Sequence, residues 1–141
     1  MSELSAENEP RGSAKNDLSR PGEPAGAGPR GLVAHGSGPL PDGALAGVLR
    51  SSQNAVDALG PGTPVEAVIQ GPGVAQLAED SEHRAAVLAA LAHGVRVLAC
   101  GNSLRSADLP AERLLPGVGV VPAAIAHLAR RQWDGWAYIR L

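Results

Sequence analysis

Short apolar runs with β-branched residues alternate along the chain with longer segments whose apolar residues recur at helical spacing. The runs predict strands at residues 31–35, 65–69, 95–100, 118–121 and 136–139. The segments between them predict helices that begin near Asp42, Ser81 and Pro122, which are residue types that favour helix starts. Because parallel strands need crossover connections, this alternation predicts an α/β fold with a five-stranded, mainly parallel sheet and helices on both faces.

The same pattern predicts which side chains face solvent. Glu66 and Gln70 in the second strand suggest a strand end or edge that is exposed. The last helix is predicted to turn apolar residues inward and charged residues outward, namely Ile125, Leu128 and Ala129 inward and Arg130 and Arg131 outward.

The first thirty residues differ from the rest of the chain. Residues 1–30 are rich in Ser, Glu, Asn, Pro and Gly, and they predict a disordered N-terminal tail because they bury too little apolar surface to offset the ordering entropy. The remaining residues, 31–141, predict a single domain, since the hydrophobic fraction of 44% is enough for one core.

Composition excludes several classes of protein. The net charge of −2 leaves no basic surface for nucleic acid or for an anionic membrane. A single cysteine forms no disulfide within the chain, and the four histidines show no metal-ligand spacing. Neither a secretion signal nor a membrane-spanning run is recognised, so the sequence predicts a soluble, cytoplasmic protein.

The single cysteine, Cys100, ends the predicted third strand. Ligands gather beyond the carboxyl ends of parallel strands, which makes this position a candidate active site. The residues that follow, Gly101, Asn102 and Ser103, supply backbone and hydroxyl donors, and the cation of Arg105 would lower the pKa of a thiol. His35, at the end of the first strand, is predicted to lie at the same edge of the sheet.

Other known motifs fit these residues less well. The loop at Gly71 lacks the third glycine of a dinucleotide-binding turn, and the predicted domain has no lysine for a phosphate-binding loop. Arg105 stands where a serine hydrolase elbow needs glycine, which favours a turn role for Ser103. Cys100 itself is either a reactive thiol or a small apolar residue of the core.

Several motifs resemble one known family. The segments that carry the resemblance are Ala99-Cys100-Gly101-Asn102-Ser103-Leu104-Arg105, Leu114-Leu115-Pro116-Gly117-Val118, and Gln132 with Gly135-Trp136-Ala137-Tyr138-Ile139. Together they are similar to the DsrE/DsrF-like (YchN-like) sulfur-relay proteins, and the resemblance covers roughly residues 31–141.

The resemblance implies a function. It implies a sulfur carrier or sulfurtransferase in which Cys100 accepts sulfane sulfur as a persulfide and passes it to a partner, with no cofactor and no metal. It also implies a homotrimer or homohexamer with sulfur donor and acceptor proteins as partners. The alternative is a non-catalytic oligomeric module of the same fold that binds a small ligand or a protein.

Overall fold

A single parallel sheet forms the centre of the computed structural model, which describes residues 30–141. The predicted tail therefore lies, except for residue 30, outside the described residues. All four strand pairings are parallel, and the strand order is β4-β3-β2-β1-β5. The strands are β1 (Leu32–Ser37), β2 (Val65–Gln70), β3 (Arg96–Cys100), β4 (Gly119–Val121) and β5 (Ala137–Arg140). The fold class predicted from the sequence is confirmed.

Four α-helices and two 3₁₀ segments connect the strands. The α-helices are α1 (Ala44–Leu59), α2 (Arg84–Ala92), α3 (Gly101–Ser106) and α4 (Ala124–Trp133). The 3₁₀ segments are Gly71–Leu77 and Ala111–Arg113. None of the helices in residues 30–141 is long and apolar enough to cross a bilayer.

The order of the strands decides which face each helix covers. The chain moves from β1 to β4 in one direction and then returns across the sheet to β5 beside β1. Because crossovers between parallel strands are right-handed, this reversal puts α4 on the face opposite α1 and α2. The core accordingly has two parts. The larger contains Leu45, Leu49, Ile69 and Val87, and the smaller, under α4, contains Val33, Val68, Cys100, Ala124 and Leu128.

The helix ends agree only partly with the predicted caps. The expected cap at Asp42 is wrong, because α1 begins after Gly43, whose left-handed backbone (φ 83°) makes the turn without a side-chain hydrogen bond. Ser81 accepts a hydrogen bond from the His83 N–H at 3.0 Å, but α2 itself begins only after His83. Gly94 does follow the end of α2 with φ 100°, as expected.

Three predicted orientations are wrong. Glu66 is 1% exposed, because β2 is the middle strand of the sheet and is covered on both faces. Ile125 is 71% exposed, since α4 packs on the sheet through Ala124 and Leu128 instead. Arg131, expected to face outward, turns toward the sheet and ion-pairs with Glu66.

A matched pair of glycine substitutions tests this packing. Gly71 has φ 84°, and a Cβ there would lie 2.9 Å from the Gly38 backbone nitrogen. We expect Gly71→Ala to lower the free energy of unfolding by about 1–3 kcal/mol, because both the backbone and the contact are strained. A Cβ on Gly47, within α1, meets no atom within 4 Å. Gly47→Ala should therefore stabilise the protein by about 0.5–1 kcal/mol.

Equilibrium urea unfolding of the two variants and the wild type measures both effects. An unchanged free energy of unfolding for Gly71→Ala would contradict the close contact between the loops after β1 and β2.

Candidate functional site

Cys100 is the last residue of β3, and its side chain lies on the face of the sheet that α4 covers. The residue is only 2% exposed. Its Sγ accepts a hydrogen bond from the backbone N–H of Ala124, the first residue of α4, at 3.3 Å. The contact joins the end of β3 to the start of α4.

The chain segments next to Cys100 approach each other closely at Gly101. A Cβ at Gly101 would lie 3.1 Å from the carbonyl oxygens of both Val121 and Pro122. These carbonyls belong to the segment that leads from β4 into α4. A side chain at position 101 would require that segment to move by a few tenths of an ångström.

Ser103 links the thiol to a second loop. Its Oγ accepts a hydrogen bond from the Gly71 N–H at 2.8 Å, and its hydroxyl group is one of the groups that lower the pKa of Cys100. Burial raises the pKa of Cys100, but hydrogen bonds from the Ala124 N–H, the Ser103 hydroxyl and the N–H groups of Ser103 and Asn102 outweigh it. The pKa of the thiol therefore lies below its ordinary value, because these donors stabilise the thiolate.

A cavity of about 580 Å³ opens beside the thiol. Three segments line it, which are the end of β2 with its following turn, the end of β3 with α3, and the start of α4. The lining residues are Gln70, Gly71, Pro72, Ala75, Cys100, Asn102, Ser103, Ser106, Ala107, Ala123, Ala124 and Ile125. This volume is in the range of small-molecule sites, and none of the lining side chains is charged.

His35 reaches the cavity only through a neighbour. The ring is buried, and its two nitrogens bond to Tyr138 Oη at 2.7 Å and to Gln70 Oε1 at 2.9 Å. Because an amide oxygen only accepts, Nε2 carries the hydrogen, and in the neutral ring Nδ1 accepts from the tyrosine hydroxyl. Gln70 lines the cavity whereas His35 does not. Gln70 was not a candidate on sequence grounds, although it ends a strand beside Cys100.

Arg105 lies away from the thiol. It is exposed, it does not line the cavity, and it donates to the side-chain oxygen of Asn102. The groups that lower the pKa of Cys100 are uncharged N–H and O–H donors. Four of the predicted site residues, Cys100, Gly101, Asn102 and Ser103, thus lie together. Arg105 bonds directly to Asn102, and His35 bonds to Gln70, which lines the cavity.

A buried ion cluster between β2 and α4 was not predicted from the sequence. Glu66 on β2 accepts from His127 Nε2 at 2.7 Å, from Arg131 at 2.7 and 3.2 Å, and from Arg96 Nη1 at 3.0 Å. His127 and Arg131 both lie on α4, so the carboxylate holds that helix on the sheet. The Arg131 guanidinium also stacks on the ring of Trp136, 4.3 Å from its centroid. We call Glu66, Arg96, His127 and Arg131 the Glu66 cluster.

The Glu66 cluster explains the state of the carboxyl group. Burial raises the pKa of Glu66, but the hydrogen bonds and charge of Arg131 and His127 outweigh it, so the pKa lies below its usual value. A signal was present in the sequence. A carboxylate inside an apolar strand must be paired if that strand is buried, and His127 and Arg131 are four residues apart on one helix face.

The described residues contain no group of three or more His, Cys, Asp and Glu side chains able to hold a metal ion.

Comparison with known proteins identifies relatives of the chain. The model of the DsrE/DsrF-like family matches residues 45–141. A solved protein of unknown function from Methanobacterium thermoautotrophicum is 33% identical, with a TM-score of 0.72, over 79% of this chain and 99% of that one. No curated protein matches.

Two further solved structures share the fold at lower identity. The YchN protein from E. coli is 15% identical with a TM-score of 0.62, over 79% of this chain and 97% of that one. A conserved protein of unknown function from Bacteroides thetaiotaomicron is 17% identical with a TM-score of 0.63. The match covers 79% of this chain and 94% of that one. These two likenesses concern the fold alone.

The Glu66 cluster gives a prediction about stability and pH. Glu66→Gln leaves Arg96 and Arg131 without a carboxylate, and we expect it to lower the free energy of unfolding at pH 7 by about 1–3 kcal/mol, because both guanidinium groups are partly solvated. Because the folded-state pKa of Glu66 is depressed, its stabilisation is complete above the unfolded pKa and is lost as pH falls through the folded pKa. Wild-type stability should therefore fall more steeply in acid than that of Glu66→Gln, as urea unfolding at a series of pH values would measure.

Glu79→Gln is the matched control. Glu79 pairs with Arg113 at 2.8 Å, but both side chains are about half exposed. Such a pair contributes about 0–1 kcal/mol, so the control variant should remain close to the wild type. An equal decrease in the free energy of unfolding in the two variants would contradict a stabilising role for the Glu66 cluster.

Proposed function

Because the chain belongs to the DsrE/DsrF-like family, we propose that it is a sulfur carrier or sulfurtransferase that accepts sulfane sulfur as a persulfide on Cys100. A partner protein then takes the sulfur from Cys100. Sulfane sulfur is sulfur bonded to another sulfur atom in a form that a thiolate can attack. Neither a cofactor nor a metal is part of this proposal.

The observation that carries the proposal is the environment of the thiol. The nucleophile in sulfur transfer is the thiolate, and the Ala124 N–H and the Ser103 hydroxyl favour that form of Cys100. Both donors can equally stabilise the anion of a persulfide once it has formed. A buried cysteine that served only as core packing would not need hydrogen-bond donors around its sulfur or a cavity beside it.

The cavity supports the same function sterically. Cys100 is almost fully buried and lines the cavity, so a reactant must occupy the cavity to reach Sγ. Burial of the sulfur reduces its contact with bulk water, which protects a persulfide from side reactions. The cavity would serve equally in the alternative function, a module that binds a small ligand without chemistry, and the first experiment below separates the two.

Assembly and location complete the proposal. We propose a homotrimer or homohexamer in the cytoplasm, where a catalytic thiol stays reduced. Two large apolar side chains on α4 support assembly, since Trp133 is 81% exposed and Ile125 is 71% exposed. Tryptophan is enriched at the centres of protein interfaces. Ile125 also lines the cavity, so a neighbouring subunit on α4 would narrow the opening.

Native protein should take up sulfur on Cys100. We expect intact-mass spectrometry after incubation with a sulfane sulfur donor to show a gain of one sulfur atom, absent in Cys100→Ser. The rate of Cys100 alkylation should rise to its plateau below the pH at which an unperturbed thiol ionises, because the pKa is lowered. A thiol that alkylates only on unfolding and gains no sulfur would refute the carrier function and leave the ligand-binding alternative.

Ser103→Ala tests the source of the lowered pKa. Loss of the hydroxyl donor should move the alkylation profile of Cys100 to higher pH. Ser51→Ala, at an exposed position of α1 on the other face, is the control and should leave the profile unchanged. Identical shifts in both variants would mean that Ser103 does not stabilise the thiolate.

The assembly is tested by light scattering on the eluting protein. The expected mass is that of three or six chains, and Trp133→Ser should shift it toward the monomer because a large apolar contact is lost. Gln132→Ser, an exposed neighbour on α4, should leave the mass unchanged. A wild-type monomer at micromolar concentration would contradict the assembly.

A further inference from the structure

We propose that the cavity beside Cys100 selects a low-molecular-weight organic persulfide whose remainder is uncharged, in preference to an inorganic anion or an anionic persulfide. This inference rests on the sulfur-carrier function proposed above and adds the class of donor to it. It follows from the charge, the size and the hydrogen-bonding groups of the cavity.

The charge of the cavity argues against anions. The twelve residues that line it include no Arg, Lys or His, and the Arg105 guanidinium, which bonds to the lining residue Asn102, is exposed to solvent. A bound anion would approach the Cys100 thiolate with no cationic side chain in the lining to offset the repulsion. Like charges brought together in this way cost several kcal/mol. Thiosulfate and inorganic polysulfide are both anions and meet this penalty in full.

The size and surface of the cavity fit an organic molecule. Its volume of about 580 Å³ far exceeds that of an inorganic sulfur anion, which would leave most of it unfilled. Pro72, Ala75, Ala107, Ala123 and Ile125 give it an apolar surface. An organic group gains free energy by covering that surface, and an inorganic ion does not.

Gln70 supplies an oriented donor within this apolar cavity. Ile69 pairs with Ala99, so Gln70 and Cys100 are the next residues along adjacent strands. His35 holds the Gln70 Oε1 at 2.9 Å and is itself held by Tyr138, which leaves the Gln70 NH₂ group to donate. A carbonyl oxygen on the donor molecule is the acceptor that an uncharged NH₂ group matches.

The reaction of such a persulfide, R–S–SH, balances without a further reactant. The Cys100 thiolate attacks the outer sulfur, a new S–S bond forms to Sγ, and the original S–S bond breaks. The electron pair of that bond leaves on R–S⁻, and the proton stays on the transferred sulfur, which gives Cys100–S–SH. One negative charge is present before and after the step, and no external oxidant or reductant takes part.

Two persulfides that differ only in charge test the selection. N-acetylcysteine persulfide carries a carboxylate, whereas the persulfide of N-acetylcysteine amide carries a neutral amide in its place. The full chain is incubated with each, and with thiosulfate, and the persulfide on Cys100 is followed by intact-mass spectrometry. Each rate is divided by the rate with a small free thiol, which removes differences in intrinsic reactivity. We expect the amide to react at least about tenfold faster than the carboxylate after this correction.

The outcomes separate this inference from the function on which it rests. Equal or faster loading from thiosulfate or from the carboxylate would overturn the donor class and leave the carrier function intact. Failure of all three donors to load Cys100 would overturn both.

Substitutions identify the groups responsible. Ser106→Lys adds a cation at the exposed edge of the cavity and should reduce the preference for the amide, whereas Ser106→Met, of similar length without charge, should keep it. Gln70→Leu should slow loading from the amide without moving the alkylation profile of Cys100. The control Gln132→Leu, at an exposed position of α4, should change neither the loading rate from the amide nor the alkylation profile. An unchanged preference in Ser106→Lys would contradict selection by charge.

Discussion

The carboxylate of Glu66 is the interaction on which the rest of the site depends. It is buried in the middle strand of the sheet, where an unpaired charge would cost several kcal/mol. Two of the three residues that pair with it lie on α4, so the carboxylate fixes the position of that helix. The first N–H of the same helix contacts Cys100 Sγ. The charge of Glu66 and the acidity of the thiol are therefore linked through one helix of ten residues.

The thiol itself depends on groups that carry no charge. Its Sγ accepts a hydrogen bond from the Ala124 N–H, uncharged donors lower its pKa, and the cavity beside it has no charged lining. Arg96 and Arg131 instead bond to Glu66, within the fold, and Arg105 bonds to Asn102. The pKa of Cys100 is therefore lowered without a cation at the sulfur.

Local patterns predicted much of the fold but little of the detail on α4. The alternation of apolar runs predicted the strands and helices, and Gly94 predicted the end of α2. These predictions held because each depends on residues that are close together in the sequence. The same reasoning put Ile125 inside, Arg131 outside and Glu66 at an exposed edge, and all three orientations are wrong. Helical periodicity predicts which face of a helix is the more apolar. It does not show that Glu66, a charged partner for Arg131, lies on the strand beneath that helix.

The sequence by itself determined the parallel α/β fold and the presence of a cysteine at a strand end, because both follow from the order of short segments. It also predicted that Gly101, Asn102 and Ser103 surround that cysteine, since they are its neighbours in the chain. Only the tertiary structure decided that Ala124 and Gln70 join the site, that Arg105 stays outside it and that Glu66 holds α4. Those contacts join residues that are distant in sequence, and they arise only when the chain reverses direction and brings α4 across the opposite face of the sheet.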